Sequence, residues 1–346
     1  MNKIKAPKGS IFRRAMSPQL KAALTSDNVP AWWRAMVSDP ELFVAPRDGY
    51  LNVYYKGNSL VRLIASSDGQ LVGEVHYKYL LRPELANAYW KMTHDGKLGN
   101  GDVSNLRLSD FFHDLNDLAS LKRASKNFSG VEKSGIAKIL ARNPNVIDLE
   151  VAFGTPPDGG EEKSKIPRID LIAAHRHEDG VALAFYEAKD YGNVELRSSE
   201  PKDVPVLNQM RKYEEEISRR RVEIAEAYRN HCQDLLEILP VSNTSHKGGG
   251  DSFSARRELL EFVAYHPEKL YIALQPRLLV FGFDQAQKTH AGWKIHLERL
   301  EGGLSESRVI AMGDPAGIRL DGHLPPGTEV WKYQRAEGSA LHDASA

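Results

Sequence analysis

Asp170, the run Glu187-Ala188-Lys189, and the pair Gln209 and Tyr213 are the residues of this chain whose types and spacing could do chemistry. Two carboxylates and the Ala188 carbonyl, completed by waters, offer an oxygen-rich octahedral shell that suits Mg²⁺ or Mn²⁺ and does not suit zinc. A hard cation held there would polarise a scissile phosphate, lower the pKa of a water and offset charge developing in the transition state. Lys189 could orient the attacking water or stabilise a pentavalent phosphorus. With its pKa lowered by a neighbouring cation, it could also move a proton. The chemistry within reach is metal-dependent cleavage of a phosphodiester.

Several elements must position these groups. Residues 168–174 are apolar and β-branched, as in a buried strand, and residues 175–180 (HRHEDG) form a polar stretch ending in a turn residue. Residues 181–189 are apolar until they abruptly become charged, as a core strand does where it reaches a cleft. So short a connection predicts antiparallel pairing, which brings Asp170 near Glu187. Alternation sends Glu187 and Lys189 to one face and the small Ala188 to the other. A long helix over residues 207–239 then carries Gln209 and Tyr213 one turn apart.

This arrangement resembles the PD-(D/E)xK nuclease superfamily, with Asp170 as its Asp, Glu187-Ala188-Lys189 as its (D/E)xK, and Gln209 and Tyr213 as the QxxxY signature of the RecB-type exonuclease branch. The resemblance covers about residues 125–300. It departs from the pattern at Ile169, which stands where the name has Pro; Pro167 lies three residues before Asp170. Members carry a Glu on the helix before the first core strand, and Glu132 occupies the matching place. The resemblance implies a restriction-endonuclease-like α/β core with a central mixed sheet flanked by helices. It also implies Mg²⁺ or Mn²⁺ as cofactor and DNA as partner and substrate, in repair, recombination, phage or defence biology. An RNA-cleaving nuclease of the same fold is the alternative within enzymes, and a catalytically silent nucleic-acid-binding module the alternative outside them. A partner-regulated, toxin-like nuclease is a third.

Each element also has a plainer reading. A lone ExK is often a solvated strand end, and order along the chain is what sets this one apart. Gln209 and Tyr213 could be one solvated and one packed residue of an amphipathic helix. Glu132 could pair with a surface cation or sit in a first helical turn where the dipole favours acids. Glu150, alternating with Asp148 onto one face of a strand over residues 146–153, is a reserve metal ligand. The polar loop over residues 190–204 could close over a substrate, with Arg197 and Asn193 as candidate substrate contacts.

The chain has 346 residues, 41% of them hydrophobic, enough to bury substantial cores, and one large or two modest domains are expected. Three regions are expected: an α+β accessory region over residues 1–105 with short helices and a β-meander, a nuclease-like domain over 106–334, and a disordered tail over 335–346. Short helices are expected over residues 17–43, with Trp32 and Trp33 as core anchors, and a helical segment over residues 106–142. Residues 242–253 are expected to be flexible, and their glycines lack the Lys-Ser/Thr of a phosphate loop. A helix over residues 255–264 and strands over residues 270–274, 277–283 and 293–297 would complete the core. The net charge is zero, but residues 1–100 hold 14 Lys and Arg against 8 Asp and Glu. Lys3, Lys5, Lys8, Arg13 and Arg14 could therefore form a phosphate-binding arm, with a solvated terminus as the plainer reading. There is no secretory signal pattern and no apolar stretch that would span a bilayer. The single Cys232 fits a reducing cytoplasm. No membrane partner is expected, and a homo-oligomer or a protein partner stays open.

Overall fold

The computed structural model describes residues 12–76, 79, 89–92, 94–95, 117–153, 168–200, 204–239 and 250–334. Lys3, Lys5, Lys8, the start of the expected 106–142 helix and the 335–346 tail lie outside these residues.

Strands β1 Leu42–Pro46, β2 Leu51–Tyr55, β3 Asn58–Ala65, β4 Leu71–His76 and β5 Tyr89–Met92 form a five-stranded antiparallel meander in sequence order. Lys56 and Gly57, both at positive φ, make the two-residue β2–β3 turn whose twist matches the flanking strands. Helix α1 Pro18–Thr25 is capped by the Ser17 side chain, and α2 Ala31–Val37 follows Pro30. Trp32 and Trp33 are buried as packing anchors. The expected helical stretch ends earlier than residue 43, because Leu42 to Pro46 pairs with β2 as a strand.

The second sheet has seven strands and is mixed. Strands β6 Val146–Ala152, β7 Arg168–His177 and β8 Gly180–Asp190 are antiparallel neighbours. Strand β9 Leu270–Ala273 runs parallel to the first half of β8, and β10 Arg277–Phe281 runs parallel to its second half. Strand β11 Val309–Met312 extends the sheet beyond β10, and β12 Val330–Lys332 pairs with β9.

Helices α3 Leu118–Lys126, α4 Val131–Leu140, α5 Pro205–Ile238, α6 Gly250–Tyr265, α7 Gln285–Thr289 and α8 Ala291–Leu304 complete the described chain. The protein is therefore α/β, with a mixed sheet flanked by helices. On one face Ile136 and Ile139 of α4 pack with Leu171, Ala184, Tyr186 and Ala188. On the other, Met210, Tyr213 and Ile217 of α5 pack with Ile172, Leu183 and Phe185. Ala188 is small where α4 must approach, and so is Gly135, whose missing side chain would fall 2.0 Å from the Phe281 ring. The same buried cluster that joins α5 to the sheet continues into α1, α2 and β1 to β4. No described helix is long and apolar enough to cross a membrane.

Several local expectations need correction. Strand β7 does not stop at residue 174 but runs to His177, leaving only Glu178 and Asp179 as the turn, with Glu178 at φ 50. The helical segment expected up to residue 142 is broken at Gly130, which caps α4 after α3 has ended at Lys126. Residues 293–297 are not a strand. They belong to α8, where Trp293, Leu300 and Leu304 are buried at helical spacing and Ile295 is exposed. Helix α6 starts at Gly250, so residues 250–253, expected to be flexible, are helical, and the rest of that stretch, 242–249, lies outside the described residues.

Candidate functional site

Strand β7 pairs with β8 as far as Leu171 opposite Tyr186, which places Asp170 across from Glu187 on the α5 face. Here the backbone ladder gives way to a side chain. The Ala188 N–H donates to Asp170 Oδ2 at 2.8 Å, so a carboxylate takes the place of a strand carbonyl. Like charges directly opposite on a sheet are unfavourable, and here Glu187 is buried and Asp170 half-buried. Asp170 is pushed well above the usual carboxylate range, first by burial and then by the charge of Glu187. Glu187, 2% exposed, is also raised. Burial outweighs the attraction of Lys189 and the hydrogen bond from Tyr213, which act the other way.

Lys189 lies two residues on and on the same face. Its ammonium is 2.8 Å from Glu187 Oε1 and 2.8 Å from Glu195 Oε2. Burial acts against the ammonium, but the two carboxylates more than offset it and raise its pKa. With no cation beside it, Lys189 is thus held as a charged donor, which suits it to electrostatic and orienting work.

Helix α5 supplies the remaining contacts. Pro205 opens it, and the i,i+4 spacing puts Gln209 above Tyr213. Gln209 Nε2 donates to Glu187 Oε1 at 2.9 Å and to the Tyr213 hydroxyl oxygen at 2.7 Å. The Tyr213 hydroxyl lies 2.8 Å from the Arg168 carbonyl and 3.1 Å from Glu187 Oε2, two acceptors for one proton. Tyr213 is fully buried, and its own pKa is raised by burial and by Glu187. Asp170, Glu187, Lys189, Gln209 and Tyr213, singled out from sequence, therefore meet in one network.

Glu132 and the loop after β8 stand at its edge. Glu132 lies in the first turn of α4, on the other side of the sheet, and accepts a hydrogen bond from Asn193 Nδ2 at 3.1 Å. Its charge still raises Asp170 and Glu187. Asn193 also caps the short turn Val194–Leu196 through Glu195 N–H, so its side chain is committed to holding the loop. Arg197 is folded back, 4.7 Å over the Tyr191 ring and 5.6 Å over Trp293, with Nη1 donating to the Asn193 carbonyl. Glu150 pairs with Arg168 at 3.0 Å, and its charge is among those raising Asp170. Glu195 was not foreseen. Its only signal in the sequence is a second acid six residues after Lys189, on a loop whose return path no periodicity reveals.

The donor set of the site is carboxylate oxygen, the kind a hard divalent cation takes. Among the described residues no three His, Cys, Asp and Glu side chains converge as a ligand cage. Two opposed carboxylates with raised pKa values do lie side by side, and Asp170 Oδ2 alone is committed to a backbone N–H. Mg²⁺ characteristically takes one or two carboxylates and completes its shell with waters and substrate oxygens, so this set fits it in chemistry. Asp170 and Glu187 would hold it, with Glu132 or Glu150 near enough in charge to contribute. Comparison with known proteins finds no matching family model, no matching curated protein and no matching solved structure.

Proposed function

We propose that the protein is a Mg²⁺- or Mn²⁺-dependent nuclease that hydrolyses DNA phosphodiester bonds, built on a restriction-endonuclease-like core of the PD-(D/E)xK type. The observation that carries this reading is the largely buried cluster in which Lys189, Gln209 and Tyr213 all bond Glu187, while Asp170, half-buried, is tied to the same strand through the Ala188 N–H. Two carboxylates whose ionised forms are disfavoured, beside one ammonium, would be relieved by a further cation, and perturbed groups of this kind gather at functional sites. A bound divalent cation would supply charge neutralisation and polarisation of the scissile phosphate.

The protein's own groups would do the rest. Asp170 and Glu187 present oxygens on one face, and Tyr213 and Gln209 fix the orientation of Glu187. Lys189 offers an ammonium to the attacking water or to the developing phosphorane oxygens. One observation favours a second reading. Both Glu187 oxygens are already engaged by Lys189, Gln209 and Tyr213, as in a silent nucleic-acid-binding module.

The test is cleavage of linear and circular DNA, single- and double-stranded, with Mg²⁺, Mn²⁺ or EDTA. Metal-dependent loss of linear DNA alone would indicate an exonuclease, and nicked or linearised circles an endonuclease. Absence of any cleavage that Lys189→Met removes would reject the deoxyribonuclease and direct the same assay to RNA.

A further inference from the structure

A second feature of the molecule lies outside the carboxylate network. Between the meander sheet and the β6–β7 pair is a cleft of about 340 Å³, at the lower end of the roughly 300–1,000 Å³ typical of ligand sites. Its charged walls are unbalanced: Arg14, Arg47, Lys133 and Arg168 line it, against the single acid Glu150. His76 adds a further polar group.

These cations are not equally committed. Arg47 is spent on Asp148, the Pro46 and Leu149 carbonyls and the Tyr54 hydroxyl. Arg168 gives one nitrogen to Glu150 while remaining largely exposed. Among the described residues Lys133 has a single neutral acceptor, Asn58 Oδ1, at 3.2 Å. Arg14 is 6% exposed, with Nε 3.5 Å from Asp148, and its buried Nη2 has no hydrogen-bond partner among the described residues. A buried guanidinium nitrogen without an acceptor is costly, and the positive charge of Arg14 on the cleft wall favours an anion there.

The cleft also adjoins the candidate site. Glu150 stands on its wall and is felt by Asp170, and the Arg168 carbonyl accepts from Tyr213. Lys133 follows Glu132 on α4.

We propose that this cleft binds a backbone phosphate of a nucleic-acid strand and leads that strand toward Asp170 and Glu187. The proposal rests on the nuclease reading for its direction and on Arg14, Lys133 and Arg168 for its chemistry. It makes the N-terminal region part of the substrate track, with Arg14 a wall residue of a formed cleft and not part of a mobile arm.

The experiment measures binding of a fluorescent single-stranded oligonucleotide in EDTA over a range of salt, so cleavage cannot contribute. The variant Lys133→Glu with Arg168→Glu is compared with Lys212→Glu with Lys288→Glu, exposed reversals of equal charge on α5 and α7. The cleft pair is expected to weaken binding at least tenfold and to flatten the salt dependence by about 1.4, two phosphate contacts at roughly 0.7 each on a single strand. The outer pair is expected to stay within twofold of the parent. Arg14→Gln, checked for folding by circular dichroism, is expected to weaken binding in the same direction. Equal losses in both pairs, no loss in the cleft pair, or no binding by the parent protein would overturn the proposal. Displacement of the oligonucleotide by inorganic phosphate at comparable concentration would also overturn it, reducing the cleft to a small-anion pocket. Cleavage is scored separately in Mg²⁺, so an active enzyme with an unimportant cleft and an inactive protein that binds through it are distinguishable.

Discussion

Two buried carboxylate–cation pairs of this molecule have nearly the same separation and opposite electrostatic character. Asp148 Oδ1 lies 2.7 Å from Arg47 Nη1, and Glu187 Oε1 lies 2.8 Å from Lys189 Nζ. Burial acts against the charge of Asp148, but Arg47, Arg14 and the surrounding hydrogen bonds overcome it and hold its pKa at about 2. The Tyr228 hydroxyl and the Leu149 N–H complete its shell. Glu187 has one cation, shared with Glu195, and burial, with the charge of Glu132 added, prevails over it, so its pKa rises. A saturated pair is a fastener between the N-terminal region and the β6 strand. A pair with surplus negative charge leaves a place for another cation, and geometry alone does not separate the two cases.

The largest effect is expected at the site. Lys189→Met is expected to lower the proposed metal-dependent cleavage about 10²–10³-fold, equivalent to about 3–4 kcal/mol in the transition state, with a smaller loss of stability than Arg47→Met because the raised Glu187 can take up a proton when its cation is gone. Cleavage rates and melting curves on the same preparation check both halves. Arg47→Met should do the reverse in kind. It leaves Asp148 buried without its principal partner and is expected to cost about 3–5 kcal/mol in urea unfolding.

Acid sharpens the contrast. The depressed pKa of Asp148 means that the unfolded chain takes up its proton first as pH falls. Its stabilisation is therefore complete above about pH 4 and is lost as pH falls toward about 2, a change of roughly 2 kcal/mol. Unfolding free energies for the parent protein and Asp148→Asn should converge over that window, and parallel curves would exclude the assignment. The smallest effect is expected from Tyr213→Phe, which removes one of several donors to Glu187 and should cost about 1 kcal/mol in stability. A fall in cleavage rate larger than that in the same variant would show that the hydroxyl orients Glu187 for reaction.

The hairpin carrying Asp170 and Glu187 was legible because one apolar strand, a short polar turn and a second apolar strand leave antiparallel pairing as the natural solution. Gln209 and Tyr213 were legible because helical spacing fixes their common face. Arg47 and Asp148 were not, since partners separated by 101 positions leave no local period. The irregularity in β6 between Val146 and Asp148, and the reach of Glu195 back to Lys189, are likewise products of tertiary packing. Trp293 was misread because apolar residues at 293, 295 and 297 alternate like a strand, while burial follows the longer helical spacing to Leu300 and Leu304. The meander was visible in its turns, but β1 and β12 are short and take their pairing from neighbours already in place.

Helix α5 spans 34 residues without interruption and serves both ion pairs, with Tyr213 at Glu187 and Tyr228 at Asp148. The two hydroxyls are thereby set in rotational phase by one rod, since each residue advances an α-helix by about 100° and 1.5 Å. A single residue inserted between positions 213 and 228 would turn one tyrosine away from its carboxylate however well the helix itself tolerated it. The spacing between those tyrosines thus works as a gauge that locks the seam and the site to one another.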